Sequence, residues 1–318
     1  MPSSPHPSCS RLAAPLQAIL GWFDTSAMAT AAERSPNRID WLRVLPFLGL
    51  HVACAAVYWV GSSSIALATA LFLYCVRMFA ITGFYHRYFS HKAFRTSRAM
   101  QFLFAVLGAA SVQRGPLWWA AHHRHHHRHA DTDQDIHSPR HGFWRSHVGW
   151  FLTPRSFATN HAAIKDLVRF PELRLLDRFD ILVPVLLAVA MYAWGSWLAA
   201  AHPSLGTSGP QMLVWGFFVS TVVLFHVTVT INSLAHRWGR RRFATNDDSR
   251  NNWLLALLTF GEGWHNNHHH FPGSARQGFT WWELDLTWYG LRVMSWLGLV
   301  WDLKVMPASL RQARPQAP

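Results

Sequence analysis

Four long apolar runs, arranged as two close pairs, constrain this chain more than any other feature. Residues 44–60 and 65–84 are separated only by Gly61, Ser62, Ser63 and Ser64. Residues 181–201 and 212–231 flank a link, 202–211, that contains Pro, Gly and Ser but no Lys or Arg. A helix needs about 20 apolar residues to cross the hydrocarbon core of a bilayer, and each run is near that length, with 44–60 at the short limit. Links this short make each pair an antiparallel hairpin. The run 100–112 is too short to span and reads as a buried or interfacial helix. The aromatic, amphipathic stretch 281–301 carries Glu283 and Asp285 at its start and Arg292 within it, so it reads as an interfacial helix rather than a fifth span.

Charge follows the same plan. Only 14% of the residues are charged, against about 25% in ordinary soluble domains. Lys and Arg number fourteen in 84–178, ten in 232–318 and four in 1–43, whereas the two links hold none and Arg77 alone lies inside a span. Cytoplasmic loops carry the excess of Lys and Arg, so the three basic segments and both termini share the cytoplasmic side. The 18 Trp and 21 Phe suit the aromatic belts of a bilayer interface. The net charge of +13 is thus set by the membrane, and no basic, aromatic-interleaved domain suggests nucleic acid as a partner. Cys9, Cys54 and Cys75 form no C-x-x-C pair and imply no disulfide framework. Residues 1–37, rich in Pro, Ser and Ala, read as a mobile tail with a weakly amphipathic stretch at 12–23. A membrane domain at 38–305 and a short tail at 306–318 follow. The preference for Arg over Lys points to a GC-rich bacterial gene, and so to an inner-membrane protein.

Histidine is the outlier, at 21 residues, and it clusters. His86 and His91 stand where the second run leaves the membrane. Five residues of α-helix end about 140° away from the starting direction, so one unbroken α-helix cannot aim both rings at one point. Either the helix breaks or the two rings serve different metals. In the second group, His123, His126 and His127 occupy i, i+3 and i+4 on one helix face and can converge, while His125 points elsewhere and His122 and His129 blur the register. The third group, His265, His268 and His269, repeats that spacing between Gly261-Glu262-Gly263-Trp264 and Phe271-Pro272-Gly273. His236 follows Asn232 by four residues, which puts both on one face at the cytoplasmic end of the fourth span.

All these groups fall on the same membrane side. They make nine imidazoles, more than the roughly six ligands one first-row ion accepts, so they imply two ions. Imidazole suits Zn, Cu, Fe or Ni and does not by itself name the metal. A closed structural zinc site takes about four ligands, whereas a two-metal centre with an exchangeable position fits catalysis. His6, His51, His161, His202 and His226 read as solvated or helix-packing, and His137, His141 and His147 as neighbours of the ligands.

The spacings H-x4-H at His86/His91, H-x2-H-H at His123/His126/His127 and H-x2-H-H at His265/His268/His269 resemble the three histidine boxes of the membrane fatty-acyl desaturases, in particular the stearoyl-CoA (Δ9) type. The resemblance extends to Gly83-Phe84-Tyr85, to Ser146-His147-Val148-Gly149-Trp150, to Asn232-Ser233 with His236, and to Gly261-Glu262-Gly263. It covers roughly residues 38–300. It implies an all-α integral membrane fold: four transmembrane helices in two hairpins, with a cytoplasmic helical cap carrying a di-iron site. It implies nine histidine ligands to two Fe ions, with Asn232 holding a water near one of them. The reaction implied is O2-dependent. Two electrons come from outside, two hydrogens leave neighbouring methylenes of a saturated acyl chain on CoA or a lipid, and a cis double bond forms, at Δ9 in that type. Gln113 and Trp119 match acyl-binding positions of the family. The tails are too short for a fused electron-transfer domain, so the donor is a separate protein such as ferredoxin or cytochrome b5. The basic cytoplasmic face would steer an acidic one.

A membrane di-iron hydroxylase of alkyl or lipid substrates shares this histidine logic and differs in outcome, inserting oxygen instead of removing hydrogen. The H-x4-H spacing and the Gly-Glu-Gly context favour the desaturase. A metal transporter would place its ligands within the spans, whereas these stand at helix ends and in loops.

Overall fold

The computed structural model describes residues 19–28 and 38–310. Its principal helices are α1 (Trp41–Val60), α2 (Ser64–Ser90), α3 (Arg98–Ala109), α4 (Pro116–His129), α5 (Phe143–His147), α6 (Pro171–Arg178), α7 (Leu182–Ala201), α8 (Gly209–Ser233), α9 (Trp253–Leu258), α10 (His265–His270) and α11 (Leu286–Trp296). Among the described residues, α1, α2, α7 and α8 are long and apolar enough to cross a membrane. The strands β1 (Arg95–Thr96) and β2 (Val300–Trp301) form a short antiparallel pair, with Arg95 opposite Trp301.

The links are built from caps. The Asp40 carboxylate accepts the Arg43 N–H (3.0 Å) and starts α1. Gly61, at φ 63°, ends it in a left-handed conformation that suits a residue without Cβ. Ser63 then accepts the Ala66 N–H (3.3 Å), so Ser64 already belongs to α2 and the first link is shorter than its four polar residues suggest. Ser208 caps α8 in the same way, through the Gln211 N–H (3.3 Å). The apolar run at 100–112 forms α3, and only Leu286–Trp296 of the stretch 281–301 is helical. Eleven residues cannot span a bilayer.

Buried polar groups hold the long helices together. Arg77 is 1% exposed. Its Nε donates to Leu73 O (3.0 Å), Nη1 to Thr221 Oγ1 (2.7 Å) and Ala110 O (3.2 Å), and Nη2 to Ser220 Oγ (2.6 Å). A cation in an apolar interior is tolerable only when its N–H groups are satisfied, and this satisfaction ties α2 to α8 and to the end of α3. A second tether is a chain of imidazoles. His51 Nε2 lies 2.9 Å from His226 Nε2, His226 Nδ1 lies 3.0 Å from His147 Nε2, and His147 Nδ1 lies 2.9 Å from Ser233 Oγ. His51 and His226 are thus helix-packing residues, and His147 joins them instead of bracing a metal ligand.

The stretch read as a mobile tail includes residues 19–28, which are packed down. Trp22 donates its Nε1–H to Leu42 O (3.2 Å), Asp24 pairs with Arg178 (2.7 Å), and the Thr25 hydroxyl donates to Asp177 O (3.0 Å). The rest of 1–37 and residues 311–318 lie outside the described residues. Beyond the apolar length of α2, its last turns are wrapped by α3, α4 and α11 around a core that includes Phe84, Tyr85, Phe89, Leu117 and Leu291. Gly108 admits α3 to this core, since a Cβ there would fall 2.1 Å from the Tyr85 ring.

Candidate metal centre

The last eleven residues of α2, Ala80–Ser90, are wound as a π-helix. The His91 N–H donates to His86 O, five residues back, at 3.3 Å. Side chains hold the wide turn: the Ser90 hydroxyl donates to Tyr85 O (2.8 Å), and Arg124 of α4 donates to Ser90 O (3.0 Å) and Phe89 O (2.6 Å). A bond from i to i+5 brings residues five apart onto one face. The helix therefore changes its winding, and the His86 and His91 rings stand 4.9 Å apart, centroid to centroid.

The nine histidines fall into two groups. His86, His91, His123, His127 and His268 form one; His126, His236, His265 and His269 form the other; within each, the candidate ligand atoms lie within 4.8 Å of one another. Each H-x2-H-H box serves both. Box two sends i and i+4 (His123, His127) to the first group and His126 to the second. Box three sends i and i+4 (His265, His269) to the second and His268 to the first. The expectation that His123, His126 and His127 meet at one point is thus corrected: i+3 and i+4 diverge by about 100° around a helix, enough to reach two centres a few ångströms apart. His236 is not on a continuing helix either. Helix α8 ends at Ser233, where Leu234 N–H and Ala235 N–H both turn back to Thr230 O (2.7 and 3.1 Å). The turn that follows carries His236 to His265, Nε2 to Nε2 at 2.9 Å.

Four of the imidazoles are braced by carboxylates. His126 Nδ1–H donates to Asp135 (2.9 Å), His236 Nδ1–H to Asp131 (2.7 Å), His269 Nδ1–H to Asp247 (2.8 Å), and His86 Nδ1–H to Glu262. Each bond fixes the tautomer and aims an Nε2 lone pair inward. Asp131 also accepts from the Ser138 hydroxyl and the Asp248 N–H, and Arg87 holds Glu262 and Asp285 (3.1 and 2.9 Å). Burial opposes the charge on Asp131, Asp135 and Asp247, yet the imidazoles and N–H donors around them hold each carboxyl well below the usual range. Burial, reinforced by neighbouring imidazoles, holds His91, His123, His127, His265 and His268 neutral, well below the ordinary imidazole value. At His126 burial also disfavours the cation, but Asp135 outweighs it and shifts the pKa up.

This donor set fits a pair of metal ions. His126 and His269 both have Nδ1 committed to a carboxylate, so two Nε2 lone pairs face each other at 3.4 Å. That contact is repulsive unless a cation sits between the nitrogens. Other Nε2···Nε2 separations are 2.8 Å (His91/His123), 2.9 Å (His127/His268) and 3.0 Å (His86/His268). Nitrogens at about 2.1 Å from one ion, at right angles, lie roughly 3 Å apart.

An apolar cavity of about 240 Å³ leads to this centre. Its lining includes Phe47, Trp118, Trp150, Phe225, Trp119, Gln113, His123 and Asn232. A smaller cavity of about 50 Å³ continues it, bounded by Trp119, Thr228, Asn232, His86, His123, His126 and His265. Gln113 donates to Thr228 Oγ1 (3.1 Å), and Trp119 stacks on His123 (5.0 Å). Gln113 stands between two residues with positive φ, Val112 (57°) and Arg114 (69°). A left-handed β-branched residue is costly and persists only where its surroundings hold it; here Arg114 is anchored by Asp180 (2.5 Å) and Phe157 O (3.3 Å).

Sequence reasoning missed Asp131, Asp135 and Asp247, which brace histidines of the second group, and Arg124, which holds the π-turn. The signal was present. With only 16 acidic residues in a strongly basic chain, carboxylates at Asp131-x3-Asp135, directly after box two, needed a reason. It also missed why box three reads His-Asn-Asn-His-His. Asn266 Oδ1 accepts the Arg242 and Phe243 N–H groups (both 2.7 Å), and Asn267 Nδ2 donates to Gln277 O (2.9 Å), pinning the loops that flank α10.

Comparison with known proteins agrees with the geometry. The fatty acid desaturase family model matches residues 62–295. The chain is 38% identical over 286 residues to the chloroplastic palmitoyl-monogalactosyldiacylglycerol delta-7 desaturase of Arabidopsis thaliana, covering 88% of this chain and 73% of that one. It is 37% identical to an acyl-CoA C20 Delta5-desaturase of Anemone leveillei (86% and 84% covered) and 35% identical to an sn-1 stearoyl-lipid 9-desaturase of Anabaena variabilis (87% and 98% covered). The chain belongs to the fatty acid desaturase family and is an oxidoreductase of lipid metabolism.

Proposed function

We propose that this protein is an O2-dependent fatty-acyl desaturase that introduces a cis double bond, at Δ9, into a saturated acyl chain. His86, His91, His123, His127 and His268 would hold one Fe ion, and His126, His236, His265 and His269 a second, with Asn232 holding a water beside it. The irons, when bound, supply the oxidising power that unactivated methylene C–H bonds demand.

The observation that carries this reading is the continuity of an apolar cavity with both histidine groups. The residues do the rest. The aromatic wall excludes water and takes the chain. Trp119 and the Gln113–Thr228 pair line the larger cavity on its way to the histidines and would fix which carbons of the chain face them. Glu262, Asp131, Asp135 and Asp247 keep Nδ1 protonated and Nε2 free. The charge asymmetry of the loops supports a cytoplasmic site with both termini inside. Electrons would come from a separate donor such as ferredoxin or cytochrome b5. Δ9 is favoured by the Δ9-type boxes and by relatives that act at that position.

The test is expression in a desaturase-deficient host, with the double bond located by gas chromatography–mass spectrometry. His126→Ala and His268→Ala run beside the parent. A new mono-unsaturated chain, absent from both variants, is the expected result. A hydroxylated product would instead make the protein a hydroxylase.

A further inference from the structure

The two cavities share Trp119, His123, Thr228 and Asn232 in their linings, and Arg43, Arg114 and Asp180 border only the larger one. The two guanidinium groups differ in their partners. Arg114 is bound to Asp180 (2.5 Å) and to Phe157 O (3.3 Å). Arg43, in the first turn of α1, stacks on the Phe157 ring at 5.5 Å. That contact restrains the guanidinium but takes none of its N–H donors. Asp40 accepts the Arg43 backbone N–H, not the side chain, and Nη1 is buried with no acceptor among the described residues. A buried N–H left unpaired is costly, and more so on a cation. This one stands to gain from an acceptor that a ligand brings in. Trp150 Nε1 is buried without an acceptor too. Its ring, however, lies 5.1 Å from His137, which is 4.5 Å from His126, so it stands beside the histidines.

An acyl chain needs such a group. Polymethylene is alike at every carbon, so an apolar wall sets its course and does not stop it sliding. Placing one bond needs a fixed point, and in apolar pockets a few polar groups supply it. Either end of the chain can give that point. The methyl end can be stopped in the smaller cavity, which Met78 and Ile81 border. The carbonyl at C1 can be held by a donor. Every acyl carrier presents that carbonyl, as ester or thioester, and it accepts hydrogen bonds without donating any. A guanidinium is its complement, since it donates and never accepts.

We infer that Arg43 is the anchor of the acyl carbonyl, a positioning residue whose Nη1 holds C1 so that the double bond falls a fixed number of carbons from it. This rests on the desaturase reading and adds to it the point from which the bond is placed. The test uses the full chain in the desaturase-deficient host, fed saturated fatty acids of sixteen, seventeen and eighteen carbons. Bond positions are read separately in the phospholipid and acyl-CoA pools, which tells ester from thioester carbonyls. The parent should place the bond at one constant distance from C1 in all three lengths. Arg43→Met, of similar reach but without donors, should spread the bond over neighbouring positions and cut conversion about tenfold at unchanged metal content. Arg43→Lys, which keeps a charged donor, should bring back a single position. A bond at constant distance from the methyl end in the parent overturns the inference and leaves the desaturase standing. So does a single, unshifted position in Arg43→Met. A spread that Arg43→Lys fails to narrow assigns the effect to side-chain shape and overturns the anchor as well. No bond in any parent culture overturns the desaturase reading and this inference with it.

Discussion

The His91 N–H donates to the His86 carbonyl across five residues, at 3.3 Å, and that one bond sets the direction of both imidazoles. In α-winding the two rings would diverge. In π-winding they meet in one group with His123, His127 and His268. The H-x4-H spacing is a statement about helix type: it works because the end of α2 is widened to about one more residue per turn, and Arg124 and Ser90 hold it so.

The two groups are unequal, five imidazoles against four. Removing one ligand leaves four in the first and three in the second. His236→Ala should therefore lose close to one of two ions, whereas His91→Ala should retain more, as read by metal-to-protein ratio in purified protein. Equal losses would mean the groups do not bind independently.

The carboxylates that brace the ligands should matter nearly as much. Asp247→Asn removes the charge behind His269 and lets the amide present the wrong atom to Nδ1. Affinity at the second site should fall by roughly 10–100-fold, measured by chelator competition. Asp302→Asn, at an exposed carboxylate paired with Arg95 far from the histidines in sequence, is the control and should change nothing.

How much of this was legible in the sequence follows a physical line. The four spans were readable because bilayer thickness sets a length that composition alone can meet. The nine histidines were readable because metal chemistry limits which side chains can serve. The division of boxes two and three between two centres was not readable, because it depends on how α4 and α10 face each other. The carboxylates themselves could be noticed, but which histidine each one orients was not readable for the same reason: Asp131 lies 105 residues from His236. His236 was found for a reason the structure corrects, since it reaches the centre by a turn and not along α8.

Acid should destabilise the metal-free protein. Burial lowers His269 and His122 from the ordinary 6.5 to about 4, and His137 to about 3. Between those values and 6.5 the unfolded chain binds more protons than the native one, so stability falls as pH drops through that window. His126, shifted the other way, offsets part of this. The net loss from pH 7 to pH 4.5 should be on the order of a few kcal/mol. Thermal unfolding in detergent would show the apo midpoint falling toward acid, with the metal-loaded protein holding level until protons displace the ions. A flat apo profile would sink the idea.

Arg77 offers a sharper test of the membrane region, because its two kinds of variant should differ in cost. Arg77→Met removes the charge together with its need for partners. Ser220 keeps a bond of its own, donating to Gly216 O at 2.5 Å, so the loss should stay near 1 kcal/mol. Ser220→Ala with Thr221→Ala instead leaves the cation buried with fewer acceptors. That should cost about 3 kcal/mol or more, since stranding a buried charge is worse than deleting it. Adding Arg77→Met to the double variant should then restore most of the stability, a coupling that independent contacts cannot produce. If the double variant proves no worse than Arg77→Met, water or lipid phosphate reaches the guanidinium, and the clamp between α2 and α8 rests on packing alone.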